Sequence, residues 1–342
     1  MDLSRTEGLP AIPLLELGEG GPLALFEAER ARAEALLEAG RGQYPGPVIS
    51  VGERLSWRWL DRSDNPYLAE IQAIDAGLTG PGASFLNTSY EWGCTTAVDD
   101  TPRGEARFLR VLDWPFDGLG AGLVAARFDA PAGPWINLTW PGFVGVVQAF
   151  APGRFAACFN QAPLTRKSGL FALDWATERL AVWRRRGLPP AHLLRRAFET
   201  CPDYESAKTL LSETPIALPA IFVLCGTKPG EGCVIERLAD KAYLRTSPTV
   251  ATNHWQSAPG AGFARGTSSE ARLALMSARD PAAGEDFAWL QPPILNATTR
   301  LALVAEPGRS RLAVFGIETE APATAVLRLE NGQPAARQAL AG

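Results

Sequence analysis

The sequence predicts an α+β fold, and three observations support it. Short apolar segments rich in β-branched and aromatic residues come in blocks, with helical blocks between them, instead of alternating strand and helix. Turn residues such as PRG, APAG and APGR separate neighbouring strand segments, as antiparallel connections require. The chain has 342 residues and 46% hydrophobic side chains, enough for a substantial core in one large domain or two ordinary ones.

The first ninety or so residues read as mainly helical. Pro22 to Ala39 is rich in alanine, leucine and glutamate, with proline at its start and Gly40 just beyond. VISVGERLSWRWL carries enough β-branched and aromatic residues for a strand or hairpin. Asn65-Pro66 can open another helix, with Leu68, Ile71 and Ile74 on one side until Gly77 ends it. Strands then follow at Cys94 to Val98, Ala106 to Leu112, Gly122 to Phe128, Trp135 to Trp140, Phe143 to Ala151 and Phe155 to Phe159. Helices dominate from Asp174 to Glu213, broken at GLPP and CPD. Strands resume at Ile216 to Cys225, Gly232 to Glu236 and near Thr249. A helix from Ser268 to Ser277 precedes three more strands, at Arg300 to Ala305, Arg311 to Gly316 and Ala323 to Leu329.

Several functions are disfavoured. The 33 basic and 37 acidic residues give a formal charge of −4, with no concentrated basic face for nucleic acid. The WRRRG run at Trp183 is a local helix end, where cations suit the macrodipole. GLGAG at Gly118 lacks the spacing of a phosphate loop and reads as a turn. No stretch is long and apolar enough for stable membrane insertion, and no secretory leader is visible, so a cytoplasmic location is expected. The sequons at Asn87, Asn137 and Asn296 mean little without a secretory route. Five sparse cysteines form neither a disulfide framework nor a metal-binding pattern, and no metal or organic cofactor is expected. Of the two histidines, His192 reads as part of a helix face and His254 as a neighbour of Asn253.

The stretch NTSYEWGCTTAV, followed by LRVLDW, carries the chemistry. A cysteine nucleophile acts as thiolate, favoured by a nearby cation, and needs a base. Neither histidine lies in a partner motif. If the Gly93–Cys94 bond is cut, the freed α-amino group, with a pKa of about 7.7–8.0, can serve as that base. Glycine at 93 tolerates strained backbone and lets the thiol approach the preceding carbonyl.

GCTTAV with LRVLDW resembles the start of the mature chain in the choloylglycine hydrolase and acid ceramidase superfamily of N-terminal-nucleophile hydrolases. Arg110 and Asp113 follow Cys94 by 16 and 19 positions, which is the family's spacing. NPYLAEIQAIDAGL and FLNTSYEWG resemble the propeptide of the branch with acylethanolamine amidases, acid ceramidase and penicillin acyltransferase. The resemblance implies a four-layer αββα sandwich with two packed antiparallel sheets. A mainly helical pro-region, residues 1–93, would precede a catalytic domain, residues 94–342, the pair being separated by self-cleavage between Gly93 and Cys94.

It further implies roles. Cys94 is nucleophile and, through its amine, base; Arg110 favours the thiolate; Asp113 orients the amine. Asn160, in GRFAACFNQAP, supplies a backbone N–H to the oxyanion hole, and Asn253, in VATNHW, a side-chain amide. Arg272, in SSEARLALM, helps hold the charge pattern. An interval of three does not put Arg110 and Asp113 on one side of an ideal strand, so the strand is expected to end or bulge near Leu112. Trp92, Trp114, Phe116 and Trp140 are candidates for an apolar acyl pocket. The implied reaction is hydrolysis of a linear N-acyl amide (a fatty acyl amide, an N-acylethanolamine or an N-acyl amino acid) through an S-acyl enzyme. Acyl transfer of the penicillin acyltransferase type at the same site, and an unprocessed, non-catalytic binder of acyl compounds, are the alternatives. The expected partners are the substrate, the two self-cleaved chains for one another, and a second copy if the protein is a homo-oligomer.

Overall fold

The strands Ala106–Asp113 and Thr299–Glu306 are buried along their whole length. A strand buried on both faces must be covered on both, and the rest of the architecture supplies the two covers. The computed structural model describes residues 3–42, 46–80, 83–88, 92–182, 184–260 and 262–335. Trp183 of the WRRRG run, and Ser89, Tyr90 and Glu91 of FLNTSYEWG, lie outside the described residues.

Two large sheets form the centre. The first runs in the order Leu14–Glu16, Val124–Phe128, Trp135–Thr139, Gln148–Ala151, Phe155–Gln161, Ala220–Cys225, Gly232–Arg237, Ala242–Thr246. Only its first pair is parallel. The second runs Thr249–Ala251, Gly93–Asp100, Ala106–Asp113, Thr299–Glu306, Arg311–Glu318, Leu327–Glu330, Gln333–Pro334, all antiparallel. Their inner faces share one buried apolar cluster, in which Val98, Phe108 and Leu112 join Ala156, Cys158 and Val223.

Each outer face has its own cover. Helices Pro190–Thr200 and Tyr204–Glu213 lie on the first sheet, where Phe198 packs 5.4 Å from Trp135 and 4.8 Å from Phe155. Burying such a side chain contributes on the order of 1.5–3 kcal/mol. Helix Ser269–Ser277 and the segment after it cover the second sheet, with Met276, Phe287 and Trp289 against Leu109, Val111 and Phe315. The result is the helix–sheet–sheet–helix order expected from the sequence.

The N-terminal region is mainly helical, with some departures from expectation. Pro22 to Ala39 is two helices, Gly21–Ala28 and Arg30–Arg41, because Glu29 leaves helical geometry (φ −120°, ψ 32°). VISVGERLSWRWL is not a strand or hairpin but most of helix Gly46–Leu60. Its buried side, Ile49, Glu53, Ser56, Trp59 and Leu60, follows helical spacing. Polar members hide that period: Glu53 accepts from Ser84 at 2.5 Å, and Ser56 meets Thr88 at 2.9 Å. Leu14–Glu16, unforeseen as a strand, adds to the first sheet beside Val124–Phe128.

Three contacts tie this region to helix Pro190–Thr200. Tyr67 Oη donates to Glu199 Oε2 at 2.7 Å, Arg195 pairs with Glu70, and Asn65 Nδ2 lies 2.7 Å from His192 Nδ1. Phe143 to Ala151 is a strand only from Gln148. Before it the chain turns onto the same helix, where Val146 N–H donates to Ala191 O and Gly145 fits because a Cβ would stand 2.6 Å from that of Ala191. Among the described residues no helix is long and apolar enough to cross a membrane.

Candidate active site

Strand pairing places the site. Gly93–Asp100 runs antiparallel to Ala106–Asp113, with Gly93 opposite Asp113, Cys94 opposite Leu112 and Thr96 opposite Arg110. Side chains alternate, so Cys94, Thr96 and Arg110 face the first sheet, while Thr95 and Asp113 face helix Ser269–Ser277. Of the two expectations near Leu112, an end or a bulge, the strand shows the end, at Asp113, and keeps its register to that point without a bulge. The irregularity lies in the neighbouring strand, between Thr299 and Leu301. Arg110 and Asp113 therefore approach Cys94 from opposite faces of one sheet, and no distortion of their own strand is needed.

On the inner face, Arg110 is fully buried. Its Nη2 donates to Cys94 Sγ at 3.2 Å and to Phe159 O at 3.2 Å. Its Nη1 donates to Asn160 Oδ1 at 2.7 Å and Thr96 Oγ1 at 3.2 Å, and its Nε to Gln148 Oε1 at 3.1 Å. Asn160 lies in the first sheet opposite Ile221. Its Nδ2 donates to Ala251 O and Thr252 O, each at 3.2 Å, linking Arg110 to the segment that carries Asn253.

On the other face, the Cys94 N–H donates to Asn253 Oδ1 at 2.7 Å, and Asn253 Nδ2 donates to Gln161 O at 2.9 Å. Arg272, also fully buried, donates to Cys94 O, to Thr95 Oγ1 at 2.8 Å and to Asn253 Oδ1 at 3.1 Å. It stands 3.7 Å from Asp113 Oδ2. Asp113 Oδ1 accepts from Thr299 Oγ1 at 2.8 Å, whereas the buried Oδ2 accepts no hydrogen bond among the described residues.

Gly93 has a requirement of space, not of a strained φ. It lies in a regular strand, and a Cβ there would stand 3.2 Å from Gly266 Cα and 3.5 Å from Asp113 Oδ2. Gly266, at φ +66°, leans on Gly93 from the loop before helix Ser269–Ser277.

In the intact chain Cys94 is sealed, with no exposed surface. Burial pushes its thiol up to about 12, against the pull of Arg110. Burial likewise raises Asp113 above the usual carboxylate range, although Arg272, Thr299, Asn296 and Arg110 oppose it. Burial thus shifts both groups toward their protonated, neutral forms.

The structure thus brings together Cys94, Arg110, Asp113, Asn160, Asn253 and Arg272. His192 is elsewhere, buried against Asn65 and pushed down to about 3 by that burial. His254 Nδ1 sits 2.8 Å from Ser269 Oγ, the atom that also receives the Asn253 N–H. Sequence reasoning did not single out Thr96, Gln148, Thr299 or Ser269. Thr96 could have been found by strand parity with Cys94, and Gln148 as the polar residue inside the apolar run VGVVQAF.

Trp92, next to Gly93, packs 4.6 Å from Trp114, which lies 5.8 Å from Trp140 and 6.5 Å from Phe116. Trp114, Phe116 and Trp140 line an apolar cavity closed by Leu36 and Leu37 of helix Arg30–Arg41. Trp92 does not line it but backs its wall through Trp114.

No family model matches the chain. The acid ceramidase of Balaenoptera acutorostrata scammoni is 35% identical over 97 residues, covering 28% of this chain and 23% of that protein. The acid ceramidase of Heterocephalus glaber is 33% identical over 214 residues, covering 56% of this chain and 52% of that protein. The match therefore spans about half, or less, of these curated relatives. Among solved structures, the Caenorhabditis elegans N-acylethanolamine-hydrolyzing acid amidase ortholog superposes with a TM-score of 0.50 at 20% identity. It covers 63% of this chain and 93% of that one, a likeness of fold. Together these findings bear out the resemblance drawn from GCTTAV and LRVLDW.

Proposed function

We propose, from kinship with the choloylglycine hydrolase and acid ceramidase superfamily, that this chain is an N-terminal-nucleophile amide hydrolase that matures by cutting itself between Gly93 and Cys94. One observation carries the reading. Cys94 presents its sulfur to the buried cation Arg110 and its nitrogen to Asn253 Oδ1, which Arg272 also holds. A structural cysteine needs no buried guanidinium at its sulfur.

In the cut, Cys94 Sγ adds to the Gly93 carbonyl, the C–N bond breaks, and the thiol proton ends on the departing nitrogen. Water then hydrolyses the thioester, leaving a Gly93 carboxylate and a free Cys94 thiol and amine. Asp113, raised toward its protonated form, is suited to donate as the C–N bond breaks, and its Oδ2 then accepts from the new ammonium. In turnover the amine takes the thiol proton, sulfur attacks the substrate amide carbonyl, and the ammonium protonates the leaving amine. Freed from the Cys94 amide, Asn253 can turn its Nδ2 to the oxyanion, with the Asn160 backbone N–H as second donor. Such a donor is worth about 2.7–4 kcal/mol.

The cavity lined by Trp114, Phe116 and Trp140 supports an apolar acyl group on the substrate. N-acylethanolamines and ceramides, named for the relatives, fit this chemistry, as do N-acyl amino acids. No base beyond the α-amine is required, and residues 1–93 stay on the body after the cut through Leu14–Glu16 and Tyr67.

Intact mass after incubation at acid and neutral pH tests the reading. It should show fragments ending at Gly93 and starting at Cys94, and none for Cys94→Ala. The cut protein should hydrolyse acyl amides of some chain length. Acyl transfer would appear as amide exchange with an added amine. A chain that stays whole and only binds acyl amides refutes the proposal.

A further inference from the structure

Arg110 is a buried cation without a counter-ion among the described residues. Its five N–H groups all have acceptors, namely Gln148 Oε1, Thr96 Oγ1, Asn160 Oδ1, Phe159 O and Cys94 Sγ. Among the described residues it forms no ion pair, and the nearby carboxylate, Asp113, lies across the sheet. Of the five acceptor atoms, only the sulfur can carry a negative charge.

Gln148 completes this shell in a way few residues could. It has no exposed surface and sits on the inner face of the first sheet, opposite Cys158. Its Nε2 donates to Leu138 O at 2.5 Å and its Oε1 accepts from Arg110 Nε at 3.1 Å. A carbonyl can only accept and a guanidinium can only donate, so both ends of the amide are fixed. A glutamate here would repel Leu138 O, unless protonated, and would neutralise Arg110 at once.

We infer that Gln148 is a positioning residue: it holds the Arg110 guanidinium in register with Cys94 while adding no charge of its own, so that Cys94 Sγ stays the one ionisable atom among these five acceptors. The inference rests on the proposed role of Cys94 and concerns the device that makes it reactive. Buried ion pairs elsewhere in this chain, such as Arg107 with Asp99, show the alternative arrangement, in which a carboxylate takes the guanidinium for itself.

The test follows alkylation of Cys94 by iodoacetamide as a function of pH, read by mass spectrometry of the cut protein, with the self-cleavage rate as a second readout. Gln148→Glu should move the alkylation midpoint up by about one pH unit or more, because a neutralised Arg110 no longer favours the thiolate. Gln148→Met, similar in length and unable to accept strongly, should slow alkylation at neutral pH at least about tenfold with a smaller change of midpoint.

A purely structural Gln148 would lower the melting temperature and leave both quantities unchanged, and folded variants with parental midpoint and rate overturn the inference. Should Gln148→Glu fail to fold, the rate in Gln148→Met decides alone. Should the parent neither cut itself nor react at Cys94, it is the proposed function that fails.

Discussion

Replacing Asp113 by asparagine separates what this carboxyl does for the fold from what it does for the chemistry. The amide keeps nearly the same shape and an oxygen for Thr299 Oγ1, but it cannot ionise. Because burial raises Asp113 from its usual 3.8, the ionised form is the one the fold disfavours. The stability linked to its proton is complete below about 3.8 and declines as pH climbs from there to the native value. In a Cys94→Ala background, where the chain stays whole, urea unfolding should therefore show Asp113→Asn gaining on the parent as pH rises above 4. The gain is about 1.4 kcal/mol for each pH unit across that window. With Cys94 present the effect reverses sign for function. An ammonium and a carboxylate about 4 Å apart at an effective dielectric near 20 attract by about 4 kcal/mol. Losing that attraction in the transition state should slow amide turnover about a thousandfold. An Asp113→Asn enzyme within tenfold of the parent, or a stability difference indifferent to pH, would refute the reasoning.

Three other outcomes are expected. Gly93→Ala must push its Cβ against Gly266 Cα, at a cost of about 1–3 kcal/mol, and uncut chain should accumulate on denaturing gels over a time course that fully converts the parent. His192→Gln should flatten the acid limb of stability. The parent, whose His192 is held down to about 3, loses about 1.4 kcal/mol per unit as pH falls below 6.5, measurable by melting in a pH series. Leu36→Trp should fill the cavity under Trp114 and Trp140 and lower kcat/KM for long-chain acyl amides at least about tenfold while sparing short ones.

The order of strand and helix blocks was legible because turn residues punctuate it and buried strands read as apolar runs. The six residues gathered at the site were legible only jointly, and one strand pair explains the spacing of Cys94, Arg110 and Asp113, while Asn160, Asn253 and Arg272 come from other elements. Other features were hidden for physical reasons. Helix Gly46–Leu60 buries Glu53 and Ser56 beside Ile49 and Trp59, which erases its apolar period. Leu14–Glu16 is three residues long and takes its pairing from a strand more than a hundred positions away. Gln148 serves through a side chain contributed by the opposite sheet, and nothing local in VGVVQAF says what it will touch.

If the chain cuts itself as proposed, the edge strand Leu14–Glu16, hydrogen-bonded into a sheet that the other fragment completes, changes what denaturation means for the protein. Once the chain is in two pieces, global unfolding liberates two molecules, so the melting temperature rises with protein concentration instead of being fixed by sequence and solvent. Renaturation would then demand an encounter that the single precursor never needed. The mature form would persist by slow unfolding more than by any ability to reassemble.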